Sequence, residues 1–203
     1  ACLDVLDIPA EGLPQGRAAG VLVVSAAEST VRACAAPFEA AEVDLAAIDI
    51  PELAQRNIAA LLEDENRGLV FLRIDESGMM LTLTFRGELV AVRRSDMNSA
   101  QLGSRDDEQR GRVMERLLLE MQRSLDNFDR QYSNIPVSKV VVASYPHAEH
   151  LVEELRHGTY VPVVAMDLSA QVDFPGAPEL KSPEMQSRYL LALGAALRTG
   201  APA

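Results

Sequence analysis

Between residues 79 and 86 hydrophobic and polar side chains alternate through MMLTLTFR. Met79, Leu81, Leu83 and Phe85 fall on one face, and Met80, Thr82, Thr84 and Arg86 on the other. A period of two marks a strand. LVFLRID before it and ELVAVRR after it are joined to it by short turns at DESG and Arg86-Gly87, so a three-stranded meander is predicted. The period then changes. Met114, Leu118, Met121, Leu125, Phe128 and Tyr132 recur at spacings of four and three, which predicts one long helix over 112–132. Glu120, Arg123, Asp126 and Arg130 point away from that stripe. SKVVVAS is a continuous apolar run, the pattern of a strand buried on both faces in a parallel sheet. HAEHLVEELRHG reads as a helix closed by Gly158, and YVPVVAM as another strand. Ser182-Pro183 caps and starts a final helix, EMQSRYLLALGAALR.

The amino-terminal part is patterned differently. CLDVLDI is a strand ending at Pro9, AEGLPQGRAAG a Gly/Pro loop, and VLVVSA a second strand. ESTVRACAAPFEAAEV is helical by its alanines, with Pro37 expected to end or kink it. LAAIDI, residues 45–50, reads as a third strand. Pro51 then opens the helix PELAQRNIAALLEDE, with Asp49 placed to cap it. The expected organisation is a small ββαβ unit over 1–50, a connecting helix over 51–67 and a larger α/β lobe over 68–203. The lobe's order, βββαβαβα, is that of ribonuclease H-like domains, with the first strand central and parallel to VVVAS.

Composition narrows the functions open to such a chain. Its 203 residues allow one large or two small domains, and 48% hydrophobic content is enough to fill a core. A formal charge of −11 repels polyanions, and Arg93-Arg94 is no basic stripe, so nucleic acid is not an expected partner. That pair reads as a solvated strand end, or as a salt bridge to another domain or partner. The two cysteines, Cys2 and Cys34, make no disulfide framework and suit a reducing cytosol. No apolar run approaches the length of a membrane span, and no signal peptide is seen. A start at Ala1, directly in a strand, is what a segment of a longer protein would show.

The candidate chemistry is sparse. Two-metal nucleic-acid cleavage needs several acids converging on the central strands; Asp75 is one, but VVVAS supplies none. An actin-like ATPase would cradle phosphate on the first hairpin turn, which asks for small residues and free backbone N–H groups. DESG has the location and half the chemistry: Asp75, Ser77 and Gly78 fit, while Glu76 brings a carboxylate and Met79 and Met80 are bulky. His147, His150 and His157 flank Glu153 and Glu154 but lack a zinc-binding arrangement, so a solvated helix face is expected and no metal site. Ser25, Ser77 and Ser144 lack the glycines of a nucleophile elbow.

Three stretches share a likeness. FEAAEVDLAAIDIPELAQRNIAALL resembles the lobe-crossing segment of the actin-like type IV pilus assembly proteins of the PilM family, with the MshI branch nearest in look. LLLEMQRSLDNFDRQY, with Glu120, Arg123, Ser124, Leu125, Asp126 and Phe128, resembles that family's long helix, and SRYLLALGAALR resembles its closing helix. The resemblance implies an actin-like fold entered at the small subdomain, with the first subdomain missing. It implies a protein on the cytoplasmic face of the inner membrane that binds the cytosolic tail of a single-pass PilN-type partner. The groove for that tail would be formed in part by residues 1–50. Self-association into a homodimer is a further expectation.

The family's ATP site is carried over only in degenerate form. Its second phosphate motif resembles Asp-x-Gly-x-x-x-Thr; here Met79 stands near the Thr position and Gly78 is displaced. Its adenosine motif resembles Ser-Gly-Gly; here Ser144 is followed by Tyr145 and Pro146. The expectation is therefore a non-catalytic scaffold with no cofactor, ATP being disfavoured. The alternatives are a working PilM-type ATPase and a GspL-like scaffold of type II secretion.

Overall fold

The computed structural model describes residues 1–9, 20–143 and 149–198. Strands β1 (Cys2–Asp7) and β2 (Val21–Ala26) pair antiparallel, and helix α1 (Glu28–Ala40) follows. Helix α2 (Pro51–Leu62) leads into the meander β3 (Gly68–Asp75), β4 (Gly78–Phe85) and β5 (Glu88–Ser95). After the short helix α3 (Ser99–Leu102) comes the long α4 (Asp107–Gln131), then β6 (Val137–Val142), α5 (Glu149–Gly158) and β7 (Val163–Ala165). A 3-10 turn (Pro178–Lys181) and helices α6 (Pro183–Arg188) and α7 (Leu190–Ala196) end the described chain.

The main sheet runs β5-β4-β3-β6-β7. β3 is central and pairs parallel with β6, as the βββαβαβα order predicts. All of β4 is buried, because both faces of the sheet are covered. On one face Leu72, Ile74, Met79, Leu81 and Leu83 pack with Leu117, Met121, Leu125 and Phe128 of α4 and Leu151 and Leu155 of α5. On the other, Leu69, Phe71 and Val141 pack with Ile58 and Ala59 of α2 and Leu190 of α7. Each such side chain taken fully out of water contributes about 1.5–3 kcal/mol. Thr82 of β4 is met from α2: fully buried Gln55 donates from Nε2 to Thr82 Oγ1 (2.9 Å) and to the carbonyl of Phe71 on β3 (3.1 Å).

Several elements differ from the sequence reading. Residues 45–50 form no strand, so the small unit is ββα rather than ββαβ. Its sheet has only β1 and β2 among the described residues, and an apolar run with no strand to pair with stays irregular. Pro37 does not end α1, which runs three residues further. Asp49 does not cap α2. Its carboxylate instead accepts from the Ile50 N–H (2.8 Å) and pairs with Arg198 (3.0 Å). α4 starts earlier than residue 112, because Asp106 accepts hydrogen bonds from the N–H groups of Glu108 (3.0 Å) and Gln109 (3.2 Å). The closing helix is two helices, broken at Tyr189. Ser182 stands at the N-cap of α6 without a side-chain cap bond.

Candidate functional site

β3 and β6 are parallel, so their carboxyl ends point the same way, and in open α/β sheets ligands settle beyond such ends. A cleft of about 580 Å³ lies there. One wall is Arg73 to Ser77, the end of β3 and its turn. Ala143, just past β6, lies below, and residues 187–192 around the α6–α7 break form the far wall. The volume falls within the about 300–1,000 Å³ usual for small-ligand sites.

The turn is closed on itself. Asp75 Oδ1 accepts from the Ser77 N–H at 2.8 Å and from the Ser77 hydroxyl at 2.5 Å. Its other oxygen, Oδ2, pairs with Arg73 Nη1, and the two side chains are 24% and 12% exposed. A phosphate loop works by aiming backbone N–H groups and hydroxyls at the ligand. Here the turn's hydroxyl and the Ser77 N–H are already held by a carboxylate of the same turn.

Gly78 has a structural explanation. Its φ is +133°, and a Cβ there would lie 2.5 Å from the Ser95 carbonyl oxygen. Glycine is required because β5 passes close by, with Met79 paired to Ser95 in the next register position. Met79 and Met80 do not obstruct the cleft, contrary to expectation. Both are buried, Met79 on the α4 face of the sheet, and neither lines the cleft. An alternating strand buried on both faces carries its large side chains into the two cores. Glu76 is exposed and does line the cleft.

Ser144, Tyr145 and Pro146, the positions matched to the adenosine motif, lie outside the described residues, as does His147. His150 and His157 are exposed, and His157 Nε2 lies 3.3 Å from Glu153 Oε1. Among the described residues no group of His, Cys, Asp and Glu is placed to hold a metal ion. Arg93 and Arg94 part company: Arg94 bridges to Glu52 of α2 at 2.6 Å, while Arg93 is exposed.

Sequence reasoning missed Arg73 and the α6–α7 wall. Arg73 carried a signal, since it lies two residues before Asp75 on the same strand face. The break at Tyr189 carried none. Two buried polar atoms on the cleft's lining residues, Arg73 Nε and Ser187 Oγ, have no hydrogen-bond partner among the described residues. Charge in the cleft balances: Arg73 and Arg188 stand against Asp75 and Glu76. That suits a ligand of low net charge better than a polyphosphate, which needs excess cation to offset its desolvation.

No family model matches the chain, and no curated protein matches it in sequence. Solved structures do match in shape. A chain of a PilM–PilN type IV pilus biogenesis complex superposes with a TM-score of 0.73 at 19% identity, covering 97% of this chain and 66% of that one. The ethanolamine utilization protein EutJ from Carboxydothermus hydrogenoformans superposes with a TM-score of 0.53 at 15% identity, covering 91% of this chain and 63% of that one. The chain thus spans a little under two thirds of each of these structures. At such identities the likeness establishes the fold, which is the actin-like α/β architecture the two structures share.

Proposed function

We propose that this protein is a non-catalytic scaffold of a type IV pilus assembly complex, an actin-like fold that no longer uses ATP. Its place would be the cytoplasmic face of the inner membrane, reached through the cytosolic tail of a single-pass PilN-type partner. The observation that carries the reading is the β3–β4 turn. The Ser77 N–H and hydroxyl are both taken by Asp75, and Asp75 is held in turn by Arg73, so two of the donors this turn could offer a phosphate are engaged. The similarity in shape to a chain of a PilM–PilN complex supports the pilus assignment, and the sequence likeness narrows it to the MshI branch. Among the described residues no helix is long and apolar enough to cross a membrane, which accords with attachment through a partner. The partner's tail would dock on the small unit, residues 1–50.

Titration calorimetry of the full chain with Mg-ATP tests the ATP half of this reading, with no heat expected at micromolar ligand. Micromolar binding would favour a PilM-type ATPase, the second reading, for which the roughly 580 Å³ cleft at the strand ends is the supporting observation. Pull-down with the partner's cytosolic peptide tests the other half. Capture is expected to be lost on deleting residues 1–50, and retained capture would refute the docking site.

A further inference from the structure

The cleft at the strand ends keeps two charges unengaged. Of its four charged lining residues, Arg73 and Asp75 hold each other, and Asp75 also takes the Ser77 N–H and hydroxyl. The other two are Glu76, on the turn, and Arg188, on the opposite wall. Both side chains are exposed, and among the described residues neither has an ion-pair or hydrogen-bond partner. They line one cleft and do not pair with each other, so the space between them is open.

That space is apolar. Ala143 lies below it, 5% exposed, and Tyr189 and Leu191 stand on the wall that carries Arg188. The Tyr189 side chain is 43% exposed, because the break between α6 and α7 leaves it without a helix face to pack on. A lone carboxylate at one end disfavours an anionic ligand, and a lone guanidinium at the other disfavours a cationic one. A molecule with an ammonium group at one end, a carboxylate at the other and an apolar middle satisfies both ends at once. Arginine holds a carboxylate through two parallel N–H donors, which fixes its orientation as well as its charge.

We propose that this cleft binds a small zwitterion of amino acid or dipeptide type, with its ammonium group on Glu76, its carboxylate on Arg188 and its apolar part against Ala143, Tyr189 and Leu191. The inference rests on the reading that the cleft no longer takes ATP, and it names the class of ligand that the cleft takes in its place.

The probes are L-leucyl-L-leucine, its N-acetyl derivative, which keeps only the carboxylate, and its amide, which keeps only the ammonium group. Titration calorimetry on the full chain is expected to show the free dipeptide binding at least about tenfold more tightly than either capped form, the loss of one charge-assisted contact. Each charge is then matched to its residue. Glu76→Gln should weaken the free dipeptide about tenfold and leave the N-acetyl form no weaker, since that form has no ammonium group to lose. Arg188→Gln should weaken the free dipeptide about tenfold and leave the amide no weaker. Both side chains are exposed and unpartnered, so the two variants are expected to melt with the unaltered chain. Glu115→Gln on the exposed face of α4 removes the same charge away from the cleft and is expected to bind as the unaltered chain does.

No binding of the dipeptide, equal binding of the capped forms, or an equal loss from Glu115→Gln overturns the inference. Mg-ATP titrated into the same chain separates it from the reading beneath it. If the dipeptide binds through Glu76 and Arg188 and Mg-ATP binds as well, the disused ATP site is refuted and the zwitterion site stands. If neither binds, the scaffold reading stands and the inference falls. Binding of Mg-ATP alone refutes both.

Discussion

Gly194 to alanine is expected to loosen the wall of the cleft. The residue lies in α7 where that helix crosses α2, and a Cβ built there falls 2.0 Å from the Ala54 carbonyl oxygen, 2.6 Å from its carbon and 2.9 Å from its Cα. A carbon and a carbonyl oxygen rest at about 3.3 Å or more. The helices must therefore separate by roughly 1.3 Å, the difference between that spacing and 2.0 Å. The obstacle is backbone in mid-helix, which cannot rotate aside. The crossing is pinned by Asn57 Nδ2 donating to the Gly194 carbonyl at 2.8 Å, and a retreat of that size takes the bond out of range. Overpacking costs about 1–3 kcal/mol and the lost hydrogen bond about 1 kcal/mol, so a fall of about 2–4 kcal/mol is expected. For a chain of this size that lowers Tm by about 4–16 °C. Thermal unfolding followed by circular dichroism measures it. A Tm within about 2 °C of the unaltered chain would show that the crossing has slack and that the cleft's far wall is not set by this contact.

Replacing Gln55 with leucine strands the Phe71 carbonyl and the Thr82 hydroxyl in the core, and should cost about 1–3 kcal/mol by denaturant unfolding; adding Thr82→Val should return part of it. A double variant less stable than the single would refute the pairing. Burial raises the pKa of Glu63 above the ordinary carboxylate range, outweighing the Gly87 N–H that donates to its Oε2 at 2.9 Å. The folded state thus binds this proton more tightly than the unfolded one, so the group's contribution is present below the unfolded pKa and is lost as pH rises through the folded pKa. Glu63→Gln removes that loss, and Tm should rise more between pH about 4 and about 7 than it does in the unaltered chain. An equal rise would show that Glu63 titrates alike in both states.

What could be read from sequence followed from how local each cause was. The meander was legible because MMLTLTFR repeats with period two and its turns carry glycine. α4 was legible through its stripe, although its start was misplaced because Asp106 and the acidic first turn lie in a charged stretch that reads as loop. LAAIDI reads as a strand in isolation, yet a strand needs a partner edge, and whether one exists is not written in the six residues. The same holds for the break at Tyr189, which has helix-forming neighbours on both sides. Of the site, Asp75 and Ser77 were legible as turn residues. Their hold on each other, and Arg73's hold on Asp75, is a matter of side-chain direction at the end of a strand.

That hold bears on how the turn could ever serve a phosphate. The Ser77 N–H and hydroxyl, the donors nearest the strand end, both sit on Asp75. To release them the Asp75 carboxylate must turn away, and Arg73 then loses its partner while its side chain is only 12% exposed. Breaking a largely buried pair costs up to about 3–5 kcal/mol, which a ligand would have to supply from its own contacts before gaining anything. A phosphate could take over Arg73, but Asp75 and Glu76 would then face it as unpaired carboxylates at the mouth of the same cleft. Glycine at position 78 does not ease this, because the Ser95 carbonyl occupies the space it leaves. The turn is fixed from the strand side by Arg73 and from the neighbouring strand by Ser95. Its conformation therefore follows from the sheet and needs no ligand to hold it.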